Sequence, residues 1–101
     1  MKHPPKQLVI CGKPRKITYN TKREDGECDL ATGSIIVGTA NKSELLEILI
    51  HEVCEFILHI QGHRYQRYDE GNDGLRFVMD HHQYENFITE LSAVLDQLYR
   101  V

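Results

Sequence analysis

The chain is expected to fold as an α+β domain, with a small N-terminal β-sheet of about three strands packed on two main α-helices. Three observations predict this. Ser34-Ile35-Ile36-Val37-Gly38 is β-branched and bounded by glycines, the pattern of a buried strand. Leu45 to Ile60 runs without Gly or Pro and is apolar on nearly every face, as a central buried helix is. Tyr84, Ile88, Leu91, Leu95 and Leu98 recur in alternating steps of four and three, the period of a second helix. A length of 101 residues, 41% hydrophobic and 27% charged, suits one globular domain over 1–101.

The elements follow in order. Gln7 to Cys11 reads as a short strand stopped by Gly12-Lys13-Pro14, and Ile17-Thr18-Tyr19 as a second. The polar stretch Asn20 to Gly26 separates it from the Ser34–Gly38 strand. Asn41, with Glu44 three residues on, fits a capping box for the first helix, with Ser43 as a competing N-cap. Gln61 to Gly74 is a polar loop. Asp80 then caps the second helix, with Gln83 at N3 and Met79 and Tyr84 placed to form a hydrophobic staple. The apolar stripe, extended backwards from Tyr84, lands on His81, which should therefore face the first helix.

Composition excludes several classes. No apolar run approaches the roughly 20 residues of a membrane span. Met1-Lys2-His3-Pro4-Pro5 lacks the apolar core of a signal peptide. Cys11, Cys28 and Cys54 form no CxxC pair, which points to reduced thiols in a cytoplasm rather than a disulfide framework. Seven Lys/Arg and no acid occur up to Arg23, whereas residues 51–101 carry nine acids against four bases. A basic head and the run Arg64-Tyr65-Gln66-Arg67-Tyr68 would suit nucleic acid, with aromatics stacking on bases. A solvated face of a small hairpin explains the same charges more simply. No motif specifies an oligomeric state.

The chemistry concentrates elsewhere. Of six histidines, five lie between His51 and His82. His51-Glu52-Val53-Cys54-Glu55 sits in the middle of the apolar helix, where charge is costly unless it is paired or bound to metal. Positions i and i+4 share a helix face, so His51 and Glu55 can converge on one ion with Glu52 one residue round. H-E-x-x-H metalloproteases use this spacing, with two helical zinc ligands and the intervening glutamate as general base. His81 is the best third ligand, leaving one position open as a catalytic zinc requires, and His82 is the alternative. His59 lies about 12 Å from His51 along the helix, too far to share its ion. The alternative is a polar His51–Glu55 pair that binds nothing.

The run Leu49-Ile50-His51-Glu52-Val53-Cys54-Glu55-Phe56-Ile57, after a Gly-rich strand, resembles the small predicted zinc metallopeptidases of phages and bacteria. These are minimal zincins of the SprT and ImmA/IrrE type, with an apolar pair before H-E-x-x-H or H-E-x-x-E. A later helix often opens with histidine, as Met79-Asp80-His81-His82-Gln83-Tyr84 does here. The resemblance covers about Gly26 to Leu98. It implies a hydrolase with one Zn2+ on His51, Glu55 and His81, and Glu52 as catalytic base. It also implies a peptide or protein substrate pairing, extended, along Ile35, Ile36 and Val37. Glu55 departs from the commoner histidine; an anionic ligand there makes zinc a weaker Lewis acid.

Overall fold

A computed structural model describes residues 3–63, 65–67 and 75–100, the two short segments 65–67 and 75–77 by their backbone alone. The sheet has four strands: β1 (Gln7–Ile10), β2 (Lys13–Asn20), β3 (Gly26–Asp29) and β4 (Ser34–Gly38), in the spatial order β1-β2-β4-β3. The α+β expectation is therefore met, with one strand more than expected. β3 is the addition. Its Gly-Glu-Cys-Asp sequence is too polar to announce a strand, but it pairs antiparallel with β4, Cys28 opposite Ile35.

The β1–β2 hairpin turns through Cys11 and Gly12, both at positive φ, the geometry of a tight two-residue turn. β4 runs parallel to β2, with Ile17 opposite Ile35 and Tyr19 opposite Val37. Between β3 and β4, Asp29 Oδ1 accepts from the backbone N–H groups of Ala31 and Thr32, and Gly33 supplies a φ of 71° that closes the turn.

One 3-10 turn (Lys42–Glu44), capped by Asn41 Oδ1 on the Ser43 N–H, leads into α1 (Leu45–Ile60). This helix packs on β3 and β4. It is not apolar all round in effect, because Leu46 and Ile60 are exposed while Glu52 is buried. Residues 65–67 (β5), within the expected polar loop, pair antiparallel with residues 75–77 (β6), just beyond it.

The second helix, α2 (His81–Tyr99), begins as its sequence requires. Asp80 accepts from the Gln83 N–H while the Gln83 side chain accepts from the Asp80 N–H, completing a capping box. Its inward face needs correction. Val94 and Leu98 are buried with Phe87 and Leu91 beside them, whereas Tyr84, Ile88 and Leu95 lie outward. Extending the stripe back to His81 therefore followed the wrong edge of the helix.

The core joins Leu8 and Ile10 of β1, Ile17 of β2 and Ile35 and Val37 of β4 to Leu49, Val53, Phe56 and Ile57 of α1, with Val94 and Leu98 from α2. Two side chains lock α2 to the outer edge of β1. The Gln97 amide accepts from the Val9 N–H and donates to the Val9 carbonyl, each at 2.8 Å, as a neighbouring strand would. Glu90 accepts from the Cys11 N–H. No helix among the described residues is long and apolar enough to cross a membrane.

Candidate metal centre

The cleft between β3 and α1 has a volume of ≈ 580 Å³, the size of a small-molecule site. Its position follows from local sequence. β3 alternates the half-buried Gly26 and Cys28 with the exposed Glu27 and Asp29, and α1 presents Ile48, His51, Glu52 and Glu55 to the cleft beside it. Gly26 is required there. A Cβ at this position would stand 2.6 Å from Glu52 Cγ and 2.8 Å from Ile48 Cγ2, so only glycine lets the strand lie so close. Gly26→Ala is expected to cost about 1–3 kcal/mol of stability, as overpacking does, and to push Glu52 out of place. A urea midpoint within error of wild type would contradict that.

Three potential ligands converge at the bottom of the cleft. The Cys28 thiol and the carboxylates of Glu52 and Glu55 offer atoms all within 4.8 Å of one another. His51 stands at the rim, its side chain 65% exposed, with Nε2 3.7 Å from Glu55 Oε2 and 3.9 Å from Glu52 Oε2. The i, i+4 convergence of His51 and Glu55 expected from the motif is therefore present. Glu52 is the buried member, its side chain 6% exposed, with His51 the ion partner of its carboxylate. Burial pushes its pKa up and the Glu55 charge pushes it further, with His51 pulling the other way. The Cys28 thiol is raised to about 11, first by burial and then by Glu52 and Glu55. Both shifts come first from burial and then from neighbouring carboxylate charge.

The structure does not bring His81 to this place. It is 84% exposed and its Nε2 is 2.7 Å from Glu85 Oε1, one turn along its own helix. The start of α2 lies instead by the C-terminal end of α1, where the Gln61 amide donates to the Asn86 carbonyl. Gln61 is ten residues beyond His51, roughly 15 Å along the helix axis. His82 is exposed at the same end. His63, expected in a loop, is 7% exposed and lines a second, polar hollow with Gln61, Gln83 and Asn86.

The expected peptide edge also moves. Ile35, Ile36 and Val37 pair with β2 on one side and β3 on the other, so β4 has no free edge on which a substrate could pair. β3 is the outer strand, and the cleft runs beside it. No family model, curated protein or solved structure matches the chain. The case for the site rests on its geometry.

Sequence reasoning missed Cys28 because cysteine ligands were sought as CxxC pairs. The available signal was the alternation Gly26-Glu27-Cys28-Asp29, small side chains on one face and carboxylates on the other, after a polar stretch. Two arginines of the basic N-terminal region are engaged in the fold: Arg15 stacks on the Phe56 ring at 4.9 Å and donates to the Ile10 carbonyl, while Arg23 bridges Asp25 and Glu27. Lys6, Lys13, Lys16 and Lys22 are exposed. Arg64 and Tyr68 of the aromatic-basic run lie outside the described residues, and so do the side chains of Tyr65, Gln66 and Arg67.

Proposed function

We propose that the chain is a zinc-dependent metallopeptidase-like hydrolase. Cys28, His51 and Glu55 would hold one Zn2+ and Glu52 would act as general base on a peptide or protein substrate. The observation that carries this reading is the convergence of Cys28, Glu52 and Glu55 within 4.8 Å at the bottom of a cleft, with His51 at its rim. The donor set suits the ion. Zinc takes thiolate, imidazole and carboxylate at about 2.0–2.3 Å. Cys28 and Glu55 already converge, and His51 would swing in from the rim, where it stands 3.7 Å from Glu55. Three protein ligands leave a fourth position open.

Bound there, zinc would polarise a substrate carbonyl and acidify an attacking water. The chain supplies the rest. Glu52, its proton affinity raised by burial, would take a proton from that water at its carboxylate and pass it to the leaving amine. Cys28 gives up its thiol proton when metal binds, so affinity should rise with pH. The open edge of β3 offers backbone groups to an extended peptide in the cleft, in place of β4. A reducing cytoplasm would keep Cys28 free.

Elemental analysis of protein purified with zinc present tests the reading. Wild type is expected to carry one zinc per chain, Cys28→Ala and His51→Ala to bind it at least about a hundredfold more weakly, and His81→Ala to match wild type. Wild type without stoichiometric metal would sink the proposal. A loss of metal in His81→Ala equal to that in Cys28→Ala would remove the ligand assignment.

A further inference from the structure

We propose that the chain forms a two-fold dimer through the outward face of α2, two copies of that helix packing antiparallel. The way α2 is held sets this face. Val94 and Leu98 are buried against the core, and Gln97 and Glu90 bind the β1 edge on one flank. The other flank carries Tyr84, Ile88, Leu95 and Tyr99 outward, exposed from 38% at Ile88 to 90% at Tyr99. At 3.6 residues per turn these four fall within about 60° of arc, one apolar stripe along the helix.

The stripe matches itself when reversed. Its spacing is four, seven and four residues, so the midpoints of Tyr84/Tyr99 and Ile88/Leu95 coincide, between Leu91 and Ser92. An antiparallel pair crossing there sets Tyr84 of each copy against Tyr99 of the other, and Ile88 against Leu95. A two-fold interface demands that reciprocity, and a partner of different sequence would not call for it. Ser92, exposed and small, lets the helix axes approach to about 8–10 Å at the crossing.

Charge and area agree with this occupant. No charged residue lies among the four. Of the acids on the flank, Glu85 has His81 Nε2 at 2.7 Å and Asp96 has Arg100 at 3.1 Å. In the reversed register Arg100 of the second copy lies about two residues from Glu85, roughly 3 Å along the axis, so each end joins acid to cation. The four side chains expose roughly 450 Å² per chain. With Glu85, Ser92 and Asp96 beside them, the pair would bury about 1,200 Å² in total, the lower limit of a stable specific interface. Dissociation in the micromolar range follows. β1, beside α2, and β3 are opposite edges of the sheet, so this pairing leaves the β3–α1 cleft uncovered.

Sedimentation equilibrium from about 1 μM to about 1 mM tests the proposal. The mass should climb from 11.7 kDa to twice that value. Ile88→Lys and Leu95→Glu should each weaken association at least about tenfold, with helical circular dichroism unchanged. Mixing these two variants should restore the dimer, because the introduced lysine then faces the introduced glutamate while the second Ile88–Leu95 contact stays intact. Ala93→Glu, on the far side of the helix, should associate as wild type does. A wild-type mass that stays at 11.7 kDa would leave the face to a different molecule and overturn the proposal. A dimer that survives both substitutions, or a mixture that stays monomeric, would overturn it too.

Discussion

Glu52→Gln is expected to lower peptide hydrolysis by about a hundredfold to ten-thousandfold, the usual contribution of a positioned general base, while zinc content stays at wild-type level. Glutamine keeps the size of the side chain and its place against Gly26 but cannot accept a proton from water. Loss of zinc along with activity would show Glu52 to be a ligand rather than the base.

The same variant carries a pH signature in the metal-free protein. The folded state raises the Glu52 pKa through burial and the Glu55 charge, so the native chain binds this proton more tightly than the unfolded chain does. In the window from the ordinary glutamate value, about 4.3, up to the raised one, the unfolded state holds fewer protons. Stability attributable to Glu52 is then present at acid pH and is lost as pH rises through its raised value. Urea midpoints measured in chelator should show this decline for wild type and a flatter profile for Glu52→Gln. Parallel profiles would mean that Glu52 is not desolvated.

Phe56→Ala is expected to cost about 3–5 kcal/mol, a large part of the roughly 5–15 kcal/mol that holds a domain of this size. Phe56 has no exposed surface and sits where α1 meets the sheet, with the Arg15 guanidinium on its ring face. Truncation would empty that space and strand the Arg15 cation above it. Arg15→Ala removes only the ring contact and should cost about 0.5–2 kcal/mol. Thermal melting should separate them, the first falling by roughly 15–30 °C. A Phe56→Ala loss no larger than that of Arg15→Ala would show that the ring is not a packing element.

The helices were legible because their signals are local. The run without Gly or Pro from Leu45 to Ile60 and the Asp80/Gln83 capping box act within a few residues, and α1 and the start of α2 fall where those signals put them. The face that α2 buries was not legible. Its apolar arc, from Phe87 and Val94 round to Tyr84 and Leu95, is wider than the seam the domain covers, and only the tertiary contacts choose between its edges. β3 was hidden for a related reason. Four residues with one face of carboxylates gain strand structure from β4, not from their own propensity. The helical half of the centre, His51, Glu52 and Glu55, could be read from i, i+4 spacing. For Cys28 the alternation over 26–29 marks a face but not its neighbour, because its approach depends on a strand crossing α1 at a glycine.

The Gln97 amide on Val9 has a consequence for self-association. A sheet with two bare margins can stack into fibrils from both sides, and here one margin is already closed by a side chain that imitates a strand. The remaining margin, β3, carries Glu27 and Asp29 outward. Two copies approaching edge to edge there would bring their Asp29 carboxylates together.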